Sequence, residues 1–366
     1  MDYRLDVETV TLRTALLEFL RARMPDPGAE PNADHRRRAW RELVASEWLE
    51  HYAAAVGDGS TPADHVGALH VVEAFGAAPV TGPVDVVAGY LLPLAERIGW
   101  TAPRERLRSG AVVTAVVPVL DLRSRGPRLA ATRTRDRVTV TGVLPRVSCA
   151  AEADALVVAL DLEGRPALGI VDLRGRGVTV GAPSGVDLRR PVAEVDLDAA
   201  DMDPAEVSGT AELLEQEDLA VLGHSLFLDA ESVGGASEVI ARSVRYCSER
   251  VQFGRPVGSF QAVRHRLADA AARAEGARSL AYRTAWDLAQ AEPAARTDVV
   301  ASRLWSSDSY VAAAEAAVQC HGGMGFTWEQ GVHVFYRAAL AGRGESGGAG
   351  ARAVVRAHLS DLAGAR

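Results

Sequence analysis

Apolar positions recur at helical spacing through the first hundred residues. Leu12, Leu16, Phe19 and Leu20 mark one amphipathic face, and Trp40, Leu43, Val44, Trp48 and Tyr52 a second. Val66, Leu69, Val72 and Phe75 form a third, and Val87, Leu91, Leu94 and Ile98 a fourth. Gly57-Asp58-Gly59 and the stretch 79–83 punctuate them. From 109 the pattern changes. Short β-rich runs at 112–120, 137–143, 155–160, 168–171 and 178–180 are separated by Gly126-Pro127, Glu163-Gly164 and Ala182-Pro183. Closely spaced strands of this kind predict a small antiparallel sheet or barrel. Helical spacing then returns near 210–249, 259–291 and 296–320, with Pro293 between the last two, long enough for a helical bundle. The pattern predicts a mainly α chain with a central β domain. Its parts are an N-terminal helical domain (1–108), a middle β domain (109–203) and a C-terminal bundle (204–366).

One connector in the bundle has a composition of its own. Leu226, Ala230, Val233, Ile240, Val244 and Cys247 lead into it at helical spacing, and Val263, Leu267, Ala270, Ala274, Ala277 and Ala281 lead away. Between them stand Arg250, Gln252, Phe253, Gly254, Pro256, Gly258 and Gln261. Gly254 and Pro256 break the first helix, and Ser259 is placed to cap the second. A guanidinium fork, an aromatic ring and a helix N-terminus suit a phosphate-bearing aromatic ligand. An ordinary helix hairpin with a solvated Arg satisfies the same pattern.

Composition narrows the function classes. The 366 residues are 48% hydrophobic and 24% charged, enough chain for two or three domains and a large core. A net charge of -8 argues against general nucleic-acid binding. All 40 basic side chains are arginine, so the run Arg36-Arg37-Arg38 reads as a solvated face. No apolar run reaches the ~18 residues of a membrane span, and Asp2, Asp6 and Glu8 do not fit a signal peptide. Cys149, Cys247 and Cys320 lie far apart and match no metal or disulfide pattern, so a reducing cytoplasm is the default. His51, His65 and His70 match no metal spacing and read as structural; no metal is expected. The glycine-rich stretch 342–350 fits a mobile loop or a binding loop equally.

The connector closely resembles the acyl-CoA dehydrogenase family, whose pattern there is roughly Y-x-x-x-R-x-Q-F-G-x-P-I-x-x-F-Q-x-x-x-H-x-L-A-D. A second element follows in the right order: Gln319-Cys320-His321-Gly322-Gly323-Met324-Gly325-Phe326 resembles the family's Q-x-x-G-G-x-G-(F/Y) segment. The likeness is strong over about 205–340 and weaker elsewhere. It implies FAD and oxidation of an acyl thioester, on CoA or a carrier protein, to its 2,3-enoyl form. A carboxylate takes the α-proton, and electrons leave toward an electron-transfer flavoprotein. In this family one chain's bundle holds the adenosine and diphosphate end of a neighbour's FAD. Arg250 matches the diphosphate Arg; Gln252, Phe253 and Gln261 match flavin-contacting positions; Gln319, Gly322 and Gly323 match the segment on the diphosphate.

The other half departs from the family. Where T-E-P-x-x-G-S-D is usual, the chain has Val116-Val117-Pro118-Val119-Leu120-Asp121. Where W-I-T-N is usual, it has 138–145 (VTVTGVLP). The family's commonest base position falls on Ser346, counted from Arg337, with the candidate catalytic residue Glu345 beside it. A second position falls on His224, with Glu231 two turns later. This combination resembles the degenerate subunit of bacterial heteromeric acyl-CoA dehydrogenases, which completes the flavin site of a related chain. A self-sufficient homotetramer using Glu345 and a non-redox descendant of the fold are the alternatives.

Overall fold

The computed structural model describes residues 5–24, 33–57, 60–78, 80–118, 128–346 and 348–364. The turn signals at Asp58-Gly59, Pro79 and Gly126-Pro127, and Val119-Leu120-Asp121, lie outside the described residues.

Helices α1 (Val7–Arg23), α2 (Ala33–Ala45), α3 (Trp48–Ala55) and α4 (Pro62–Ala77) come first. α4 starts where Thr61 and Asp64 form a reciprocal capping box and Pro62 fills the first turn. The fourth apolar face is not one regular helix. A π-helical stretch, Asp85–Leu91, runs into α5 (Leu92–Arg97), and α6 (Ala102–Arg108) follows.

The middle strands are β1 (Val113–Ala115), β2 (Leu129–Arg133), β3 (Val138–Ser148), β4 (Ala155–Leu162), β5 (Arg165–Asp172), β6 (Val178–Val180), β7 (Val192–Met202) and β8 (Val207–Ser208). They form one sheet in the order β6-β7-β3-β2-β4-β5-β8, with β1 on β4. The run expected over 112–120 is a strand only at Val113–Ala115 among the described residues. Most pairs are antiparallel as expected, but β1–β4 and β2–β4 are parallel: β3 runs back antiparallel to β2, and the turn after it sends β4 forward again in the sense of β2.

The bundle consists of α7 (Leu213–Glu249), α8 (Gln261–Ala289), α9 (Ala295–His321), α10 (Val332–Gly344) and α11 (Gly348–Gly364). One core joins the first helices, the sheet and the start of α7; a second, alanine-rich core joins α7 to α10. α4 and α7 cross at backbone contact. A Cβ on Gly76 would lie 1.8 Å from the Glu231 carbonyl oxygen, and one on Gly234 would lie 1.9 Å from that of Glu73. Buried Glu73 ties the same crossing to α8, accepting hydrogen bonds from Arg278 and from the Tyr282 hydroxyl.

Two expectations change here. Arg36 and Arg37 are not simply solvated: they pair with Glu152 at 2.6 Å and Asp154 at 3.3 Å, because the β3–β4 turn presents both acids to α2. The glycines of 342–350 do not form a loop. Gly342 and Gly344 lie in α10, and Gly348 and Gly350 in α11; Gly347 lies outside the described residues. His70 and His65 have local partners, the Tyr282 hydroxyl and Ser60, each at 2.9 Å.

Candidate functional site

Two chain segments meet at one end of the bundle. α7 ends at Glu249, and the connector forms a tight hairpin of β9 (Val251–Gln252) on β10 (Arg255–Pro256). Phe253 and Gly254 make its tip with positive φ, 54° and 79°. The tip leaves Phe253 92% exposed, with its ring edge on Phe260. Arg250, Gln252 and Gln261 are also exposed, and among the described residues the Arg250 guanidinium has no ion-pair partner. Ser259 does not cap α8. The N-cap is Phe260, no side chain caps it, and the Ser259 hydroxyl is buried without a partner. The 3₁₀ turn 257–259 sets this register, carrying Ser259 one residue short of the capping position.

The second segment ends α9. Tyr246 stacks on His321 with ring centroids 4.2 Å apart, so the ends of α7 and α9 lie side by side. Gln319, Gly322 and Gly323 are exposed there. Gly322 has φ 58°, and a Cβ on either glycine would meet no atom within 4 Å. The surface thus combines free guanidinium nitrogens, an uncapped helix start, an exposed ring and open backbone. Those are the features a diphosphate with an aromatic neighbour requires.

The two base positions converge elsewhere. Glu345 caps the C-terminus of α10, about half exposed, 3.9 Å from Arg146. Although the side chain is half exposed, the protein packed around its carboxyl and the Asp85 carboxylate push that carboxyl up, partly offset by Arg303, Arg190 and His224. His224, on α7, lies 3.4 Å from Asp85 and edge-on to Tyr90. Ser346, buried, turns its hydroxyl to the Arg343 carbonyl. Both positions therefore border one group of charges.

That group is a buried ion network which the sequence reading missed. Arg190 holds Glu231 through two bonds, 2.8 and 2.7 Å, and approaches Asp85 at 3.2 Å. Arg189 holds Asp187 at 2.9 Å and reaches Glu231 at 3.5 Å. All five side chains are at most 10% exposed. Burial opposes ionisation of Asp85, but Arg190 and His224 outweigh it and hold the carboxyl well below the usual range. Burial likewise opposes ionisation of Asp187, and Arg189 outweighs it. The network joins the loop before β7 to the π-helical stretch and α7. Its only sequence signal was Asp187 just ahead of an Arg pair, which is unremarkable where every basic residue is Arg.

Residues 226–359 match the family described as acyl-CoA dehydrogenase, C-terminal domain. The chain is 29% identical over 331 residues to FadE27, an acyl-CoA dehydrogenase of Mycobacterium tuberculosis, covering 86% of this chain and 85% of that protein. It is 36% identical over 115 residues to IpdE2, an acyl-CoA dehydrogenase of Mycolicibacterium smegmatis, covering 31% of this chain and 35% of that protein. The chain thus matches about a third of the length of IpdE2. Its fold is that of a chain in the ChsE4-ChsE5 complex of Mycobacterium tuberculosis, with a TM-score of 0.76, 24% identity and 99% of each chain covered. Residues 226–359 thus match the acyl-CoA dehydrogenase C-terminal domain, and over most of its length the chain is similar to an acyl-CoA dehydrogenase. Among the described residues, no helix is long and apolar enough to cross a membrane.

Proposed function

We propose that the chain supports FAD-dependent α,β-dehydrogenation of an acyl thioester as the base-deficient subunit of a heteromeric acyl-CoA dehydrogenase. One contrast carries this reading. The residues suited to the FAD diphosphate face outward at one end of the bundle, while the region bordered by Glu345 and His224 is filled by the chain's own ion network. Arg250 would grip the diphosphate, and Gly322 and Gly323 would let it approach the backbone. Phe253, Gln252 and Gln261 would bound the nucleotide, and Gln319 would add an amide. FAD, when bound, supplies the hydride acceptor. A related chain would bring the base and the thioester pocket. The ChsE4-ChsE5 structure, a complex, is compatible with such pairing. An electron-transfer flavoprotein is the fitting electron acceptor, the cytoplasm suits three free cysteines, and 1–108, 109–203 and 204–366 serve as the three working units.

The test is flavin absorbance of the complex purified with its related chain. A charge-assisted pair contributes about 1.5–3 kcal/mol, so Arg250→Ala weakens FAD retention about tenfold or more while the bundle stays folded. Equal flavin in variant and wild type would overturn the assignment. A second reading has its own observation: the raised carboxyl of Glu345 suits a base. If the chain works alone, Glu345→Gln abolishes turnover and spares FAD; full activity in that variant removes Glu345 as the base.

A further inference from the structure

α1, α3 and α4 border a half-open groove of about 620 Å³, within the usual size range of small-molecule sites. None of its lining residues belongs to the connector, the α9 end or the Arg190 network. The floor is apolar: Leu12 comes from α1, Ala55 from α3, and Gly67, Ala68 and Val71 from α4. Helix packing fixes the walls, since a Cβ on Gly67 would already lie 3.4 Å from the Thr9 hydroxyl on α1. The rim is acidic. Asp6 and Glu8 stand at the start of α1 and Asp64 in the first turn of α4, all exposed, and among the described residues no arginine lines the groove. Asp6 accepts the Thr9 N–H at 2.6 Å, and Asp64 accepts the Thr61 N–H and hydroxyl, each at 2.7 Å. Those hydrogen bonds hold both carboxyls below the usual carboxylate range, so both are charged at neutral pH. His51, half-buried in the α3 wall, is pushed below its ordinary 6.5 by burial and is mainly neutral at pH 7.

We propose that this groove binds a small aliphatic diammonium or polyammonium cation, its methylenes over the apolar floor and an ammonium toward the acids of each wall. Charge sets the sign of the ligand. Two helix N-termini border the groove at about +0.5 each, against three carboxylates, which leaves about two negative charges. An anion is therefore repelled. The spread of the acids excludes a single metal ion: among the described residues no three His, Cys, Asp or Glu side chains are close enough to share one. Separated carboxylates over an apolar floor instead match charges spaced along a methylene chain. Because the acids are exposed, each ion pair is weak and screened by salt.

The test is isothermal titration calorimetry of the full chain with 1,4-diaminobutane at low salt. The expected result is saturable binding of one diamine per chain, weaker binding of 1-aminobutane and none of butyrate. Glu8→Gln removes one rim charge without touching a helix cap and weakens the diamine about threefold, the worth of one exposed ion pair. Ala54→Leu, at an exposed position on the α3 wall, fills part of the groove and weakens it further, with helix content by circular dichroism unchanged. Glu194→Gln, which removes an exposed acid on β7, leaves binding as in wild type. Absence of saturable binding, an equal loss in Glu194→Gln and Glu8→Gln, or tighter binding of butyrate than of the diamine would overturn the proposal. So would displacement of the diamine by MgCl2 beyond that caused by NaCl of the same ionic strength, which would make the acids a metal or ion-atmosphere site.

Discussion

Arg190→Met tests whether the interior is held by charges that satisfy one another. The substitution keeps most of the volume and removes the guanidinium that bonds Glu231 twice and faces Asp85. Asp85 then loses its largest stabilising partner, and Glu231 keeps only Arg189 at 3.5 Å. Removing one member of a buried pair costs about 3–5 kcal/mol, because the partner's charge stays desolvated. At about 2–4 °C per kcal/mol for a large domain, the unfolding temperature falls by about 6–20 °C. The matched control is Arg137→Met, whose pair with Asp201 at 3.4 Å is exposed and worth about 1 kcal/mol or less. The pH dependence gives a second readout. With Arg190 present, Asp85 lies below its ordinary 3.8, so its contribution holds above that value and is lost only as pH falls through the lowered one. Without Arg190, burial lifts Asp85 above its unfolded value, and the variant loses stability as pH rises through that raised value. The gap between variant and wild type is therefore wide at neutral pH and narrows toward about pH 4. Calorimetry at both pH values decides: a loss no larger than in Arg137→Met, or a gap independent of pH, refutes the argument.

Two further outcomes follow from the same packing. Gly234→Ala would force a methyl to 1.9 Å from the Glu73 carbonyl, so α4 and α7 must separate, and denaturant unfolding should show a loss of about 3 kcal/mol or more. Burial raises Asp229, fully enclosed beside Arg303 and Ser302, to about 7 from 3.8. A raised acid stabilises below its unfolded value and loses that contribution as pH rises through the folded one, here up to about 4 kcal/mol between pH 4 and 7. Asp229→Asn should flatten the stability profile across that window, whatever its constant offset from the loss of the Arg303 pair.

The helices were legible because their apolar spacing is also their packing: Leu16, Leu20, Leu43 and Leu69 are fully buried. β7 was not singled out, because Glu194, Asp196 and Asp198 alternate with its buried residues and dilute the β-rich signal. The π-helical stretch was unreadable, since Val87 and Leu91 keep a helical spacing whichever bond pattern forms. At the candidate site, the connector and the Gly322-Gly323 turn could be read from residue type and order. Their adjacency could not: it depends on the Tyr246–His321 stack and the α7–α9 pairing, which are tertiary. The same limit hid the acids that bind Arg36 and Arg37, and the network around Arg190.

The central claim is that this chain lends half of a flavin site and lacks one of its own. The direct measurement is FAD stoichiometry, by flavin absorbance against protein concentration, for the chain alone and for the chain assembled with its related partner. The account predicts little retained FAD in the chain alone and about one FAD per heterodimer in the complex. One tightly held FAD per chain in the isolated protein, or two per heterodimer, would contradict it.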